Sequence, residues 1–189
     1  MYRKILFALF LCLILFGCQP KEINDPSEPN ITTNEDNALI TFIHQKTDEQ
    51  MGFKVEDFKI VKVSHIENSA FGQLLFKKNN IFYEGLFYTE KINASWDIVH
   101  LETTQMDSQS PFTKMQLAGK LRNKESSFHI VSGIIHDKRI KSIQITYPNN
   151  ESSIIMIDND DRYYFDVKIG VSTFSTIVAY DDSHNEISS

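Results

Sequence analysis

Residues Leu74 to Glu90 read "LLFKKNNIFYEGLFYTE", two apolar runs folded about a central Asn79-Asn80. Asn tolerates positive φ better than most residues, so the pair predicts a hairpin turn. In the second run, Ile81, Tyr83 and Phe87 fall on one face of a strand, and Phe82, Leu86 and Tyr88 on the other. A strand apolar on both faces belongs at the centre of a sheet, with a helix on one side and a packed layer on the other. The alternative leaves one face exposed as a candidate binding surface built from Phe82 and Phe87 with Trp96, or joined by Phe71 or Phe76. Gly85 marks a bulge or a close backbone approach.

Outward from this hairpin the texture stays β-rich. Short β-branched and aromatic runs, cut by Asn, Asp, Gly and Ser, predict strands at Glu56–Ile66, Phe71–Lys78, Ile81–Tyr88 and Ser95–Thr103. The segment "TTQMDSQSPF" interrupts the pattern around Pro111 as a boundary or long loop. Six further strands are expected at Lys114–Leu121, Phe128–Ile135, Ile140–Tyr147, Ser153–Ile157, Tyr163–Ile169 and Phe174–Tyr180. Three of these alternate: Ile143/Ile145/Tyr147, Tyr163/Phe165/Val167/Ile169 and Phe174/Thr176/Val178/Tyr180. Such alternation predicts one buried and one wet face, as in an antiparallel sandwich. Upstream, Leu39, Ile40, Ile43, Thr47 and Met51 recur near helical spacing, after a capping box formed by Thr32 and Glu35. Gly52 is a natural stop, so one helix is expected over 35–51. The fold class is therefore mainly β, α+β overall. One N-terminal helix and an antiparallel region fill 35–110, and a β-sandwich-like region fills 111–189.

The first 34 residues carry a different message. Arg3 and Lys4 precede Ile5–Phe16, twelve residues without a polar side chain. As a helix that run spans about 18 Å, short of the roughly 30 Å hydrocarbon core of a bilayer. Length and flanks match a signal peptide better than a transmembrane anchor. Leu15-Phe16-Gly17-Cys18 resembles the lipobox of bacterial lipoproteins, with Leu three before the Cys and a small residue just before it. The resemblance implies cleavage between Gly17 and Cys18, a diacylglycerol on the Cys18 thiol and an acyl-anchored mature N-terminus. Phe16 departs from the family, which has a small or β-branched residue there. The competing readings are a plain secretory signal with a coincidental Cys, or an uncleaved anchor. Residues 18–34 are polar, contain Pro20, Pro26 and Pro29, and show no hydrophobic period, so they read as a disordered tether of roughly 20–25 Å. The expected location is the extracytoplasmic face of a cell membrane.

Charge and cysteine usage bound the rest. The chain has formal charge −6, and removal of residues 1–17 leaves 17 Lys and Arg against 25 Asp and Glu, or −8. An acidic body carries no footprint for nucleic acid and is repelled by anionic lipid, so attachment to a membrane must be apolar or covalent. Cys12 lies in the apolar run, and Cys18 alone makes neither an internal disulfide nor a Cys-rich zinc site. The segment "GIIHDKRIKSIQITYP" with "RYYFDVKIG" and "AYDDSHNEI" loosely resembles the C-terminal module of small lipoproteins from low-GC Gram-positive bacteria, which implies no activity.

Motifs for chemistry are sparse. The six histidines form no HExxH arrangement, although His129 and His136 fall on or near adjacent strands. "DNDDR" at 158–162 and "DDSHNE" at 181–186 invite a calcium reading, but Asp and Asn are also what hairpin turns prefer. Ser132 and Ser172 sit in strand-like runs without a nucleophile elbow. No cofactor is expected. The reading favoured is a non-catalytic envelope interaction or accessory lipoprotein. A small apolar-ligand binder is the alternative, with an envelope hydrolase behind it.

Overall fold

In a computed structural model, residues 34–122 and 124–189 are described, apart from the side chains of residues 34, 35, 98 and 99. The stretch read as a signal peptide, Cys18, the expected tether as far as residue 33 and the expected Thr32 cap lie outside the described residues.

Helix α1 spans Asn34–Met51 and buries Leu39, Ile43 and Thr47. Its stop is the one expected. Gly52 takes φ +73° and its N–H returns to the Asp48 carbonyl at 2.9 Å, an αL termination that L side chains rarely adopt. The Asp48 carboxylate then accepts the Val55 N–H at 2.7 Å and steers the chain into the first strand.

Four antiparallel strands follow in sequence order: β1 (Glu56–Ile66), β2 (Ser69–Lys78), β3 (Ile81–Ile92) and β4 (Ser95–Gln105). Asn79 and Asn80 have φ +51° and +63° between β2 and β3, the pair of positive angles that a two-residue type I′ hairpin needs. Asn93 and Ala94 repeat it between β3 and β4, at +49° and +66°. Gly85 is a close approach rather than a bulge, for its register is regular and a Cβ there would meet the Glu102 carbonyl at 2.8 Å.

A loop from Met106 crosses to a second sheet in the order β5-β6-β9: β5 (Met115–Lys120), β6 (Ser127–Ile134) and β9 (Tyr163–Ile169). A third sheet, in the order β11-β10-β7-β8, contains β7 (Ser142–Thr146), β8 (Ser152–Met156), β10 (Thr176–Tyr180) and the two-residue β11 (Glu186–Ile187). Every strand pair in the three sheets is antiparallel.

Three apolar cores stack these layers. Leu39 and Ile43 of α1 pack on Ala70, Leu74, Phe76 and Phe87 of the first sheet. The opposite face of that sheet places Phe71, Leu86 and Tyr88 against Leu117, Phe128 and Ile130 of the second. The far face of the second sheet places Val131 and Tyr164 against Ile143, Ile145, Ile177 and Ala179 of the third. Strand β3 is thus central and apolar on both faces, because it has α1 above and another sheet below.

Two alternation readings need correction. In β9, Tyr164 is fully buried while Phe165 and Val167 are partly buried on the other side, because the second sheet is covered on both faces. In β10 the inward residues are Ile177 and Ala179, not Thr176, Val178 and Tyr180. Phe174, read as the first member of that face, lies ahead of the strand and is 69% exposed.

Candidate functional site

The residues singled out as a candidate surface do not converge. Phe87 is fully buried under α1, where strand parity separates it from Phe82. Trp96, near the other end of the first sheet, is partly buried against the same helix-side core and lies beneath the Lys91 ammonium, 5.6 Å from the ring centroid. Phe82 alone remains open, at 49% exposure.

Phe82 instead borders a cavity of about 300 Å³. Its apolar wall comes from both sheets: Leu75 of β2, Phe82 of β3, Met106 just past β4 and Ile134 of β6. Leu75 and Phe82 point toward the second sheet because they share a face with Phe71 and Leu86 at intervals of two. The mouth is polar. Lys77 pairs with Asp57 at 2.6 Å and holds its ammonium 4.7 Å from the Phe82 ring centroid. Lys59 donates to the Tyr163 hydroxyl at 3.4 Å and, among the described residues, makes no carboxylate ion pair. Asp57 sits at φ +49° where a register shift interrupts β1 pairing, and the shift brings both Asp57 and Lys59 to the cavity edge.

The same two sheets enclose a polar cluster between them. Glu84 of β3 is 2% exposed, and its carboxylate accepts a hydrogen bond from the Thr113 hydroxyl at 2.8 Å. Burial pushes the Glu84 carboxyl up to about 7, and the Thr113 hydrogen bond opposes the rise. Thr113 is a junction: its hydroxyl accepts from the Ile134 N–H at 2.9 Å, and its carbonyl from the Tyr164 hydroxyl at 2.7 Å. The side chains of Gln73 and Ser132 are buried, and among the described residues neither has a partner for its polar atoms. Gln73 shares the inner face of β2 with Phe71 and Leu75, and Ser132 shares the inner face of β6 with Ile130 and Ile134. In the sequence, Ser132 is flagged only as lacking an elbow, and neither Gln73 nor Glu84 is singled out.

His129 and His136 do not pair. Both belong to the run through β6, seven residues apart, which is roughly 20 Å of extended chain. His129 is fully buried, edge-on to Tyr147 and Phe174, with Nδ1 3.3 Å from the Ser175 hydroxyl. Burial lowers its pKa, against the pull of nearby Asp166. That carboxylate accepts from the Tyr147 hydroxyl at 2.7 Å.

The acidic clusters are engaged in turns and ion pairs. Asp181 accepts from the N–H groups of Ser183 and Asn185 at 2.9 and 2.8 Å, bonds that together with the Asn185 amide hold its carboxyl below the usual range. Asp161 pairs with Lys62 of β1, and Asn159 accepts from Lys141 at 3.0 Å. Among the described residues no group of three or more His, Cys, Asp or Glu is placed to hold a metal ion. None of the described helices is long and apolar enough to cross a membrane. No protein-family model, curated protein or solved structure matches the chain.

Proposed function

We propose that this protein is a lipid-anchored lipoprotein on the extracytoplasmic face of a cell membrane, with a body that binds an envelope partner rather than catalysing a reaction. One observation carries the proposal: the apolar run Ile5–Phe16 ends at Gly17-Cys18 and gives way at once to a polar, proline-bearing stretch. Lipid on Cys18 overcomes the repulsion between a −8 body and an anionic surface, since each buried CH₂ contributes roughly 0.8 kcal/mol and two acyl chains make dissociation negligible. The prolines of residues 18–34 would hold the body clear of the headgroups. Labelling cells with radioactive palmitate tests the anchor. Label on the wild type and none on Cys18→Ala is expected; an unlabelled wild type, or a label that persists in Cys18→Ala, refutes it.

A second reading has its own observation. The cavity bordered by Phe82, with an apolar wall and a few polar groups at the mouth, has the character of a small-ligand site. In that reading the body holds a small molecule outside the membrane.

A further inference from the structure

We propose that the cavity between the first two sheets binds a small organic monoanion with an apolar body, its acid group on Lys59 and Tyr163. The inference rests on the second reading above, that the body holds a small ligand. It adds the charge, size and orientation of that ligand.

Charge comes from the rim. Of the two lysines at the mouth, Lys77 is already neutralised by Asp57 at 2.6 Å. Lys62, nearby on β1, is likewise taken by Asp161. Lys59 is left with a hydroxyl for its partner, the Tyr163 oxygen at 3.4 Å. Two lysines and one aspartate therefore give the mouth one net positive charge, on a chain whose overall balance is −6. An ammonium and a phenol side by side present N–H and O–H donors to one oxyanion.

Size limits what the cavity can enclose. At about 30 Å³ for each water-sized group, about 300 Å³ holds roughly ten non-hydrogen groups. A two-chain lipid is far larger than this space, whereas an unbranched or aryl-substituted short-chain acid is close to it in size. Orientation follows from the wall. Leu75, Met106 and Ile134 give the ligand's body an apolar environment, and the half-exposed ring of Phe82 offers a face that a bound molecule would cover.

The probe is 4-phenylbutyrate, titrated calorimetrically into the full chain held in lipid nanodiscs, with empty nanodiscs as the blank. Its neutral counterpart is 4-phenylbutanamide. Saturable one-site binding of the acid is expected, with Kd of about 0.1–1 mM for a ligand of this size. The acid should bind about tenfold tighter than the amide at low salt, and the preference should shrink as salt rises. Lys59→Met, at an exposed site, should erase the preference by costing the acid about tenfold and the amide much less. Met106→Trp should fill the cavity and abolish binding of both compounds, with thermal melting confirming that each variant is folded.

No saturable heat with the acid overturns the proposal. So does a Lys59→Met variant that weakens acid and amide equally, or a folded Met106→Trp variant that binds like the wild type. Saturable amide binding without preference for the acid would overturn the anion assignment while leaving the small-ligand reading standing. Palmitate labelling of Cys18 is a separate readout, so the anchor and the ligand fail independently.

Discussion

A buried carboxyl between two sheets ties the fold's stability to pH through Glu84. In the folded protein its carboxyl is raised to about 7, mainly by burial, whereas an unfolded glutamate titrates near 4.5. Between those values the unfolded chain releases a proton that the folded one keeps, so this group's contribution to stability falls as pH rises. The full window is worth about 3 kcal/mol, at roughly 1.4 kcal/mol per unit. Glu84→Gln keeps the hydrogen bond from Thr113 and removes the charge. Urea unfolding at pH 5 and pH 8 should show the variant gaining about 2.5 kcal/mol on the wild type between the two, since part of the window is already spent at pH 5. Parallel pH profiles for the two proteins would mean that Glu84 does not carry the effect. The same junction sets a steric limit. A Cβ on Gly133 would lie 2.0 Å from the Thr113 carbonyl and 2.5 Å from the Tyr164 ring. Gly133→Ala should therefore cost about 3 kcal/mol in chemical denaturation, at the upper end for overpacking, since backbone stands in the way.

At the level of elements, the turn between β2 and β3 is held by residue chemistry rather than by burial. Asn79 and Asn80 are both in the left-handed region, which a β-branched residue occupies only at a penalty. Asn80→Val should destabilise by about 1–2 kcal/mol, and Asn80→Gly should leave stability equal or slightly higher, both read from thermal melts. That turn was legible in the sequence for the same reason: the physics is local to two residues. Strands β1 and β9 were legible end to end, since their apolar positions run from one polar break to the next. The last third of β3 was not, because Thr89, Glu90 and Lys91 are polar and Asn93-Ala94 is an uncommon spelling of a type I′ turn. Strand β11 is two residues long and has no period to detect. The inversion in β10 arose because Phe174, Val178 and Tyr180 outweigh Ile177 and Ala179 in size. Burial there follows which face meets the second sheet, a fact of tertiary packing. Of the cavity lining, the sequence pointed to Phe82 and Phe76. Its other walls are 75, 106 and 134, residues that no sequence spacing brings together.

Across the molecule, the stacking of one helix and three sheets gives the central core a special position. Phe71, Leu86 and Tyr88 come from the first sheet, while Leu117, Phe128 and Ile130 come from the second, so the chain on either side of residue 110 shares one apolar interior. Phe128 is its keystone: fully buried, with its ring 4.5 Å from Tyr88 and 5.5 Å from Phe71. Phe128→Ala removes a ring from a site bounded on both sides by sheet and should cost about 3–5 kcal/mol. The distinctive expectation concerns cooperativity. If the described body unfolds as a unit, the variant should show one transition, shifted equally whichever layer is observed. Trp96, the single tryptophan, reports the first sheet by its fluorescence. Far-UV circular dichroism weights all three sheets, and the resolved ring NMR signals of Tyr147 and Tyr164, two of the seven tyrosines, report the outermost core. Coincident urea midpoints from the three probes, in wild type and variant alike, are the expected result. Were the tryptophan midpoint to fall in Phe128→Ala while the tyrosine midpoint stayed in place, the two halves would be separate folding units. The core between the first two sheets would then be an interface between them, and the cavity at its rim would open and close with that interface.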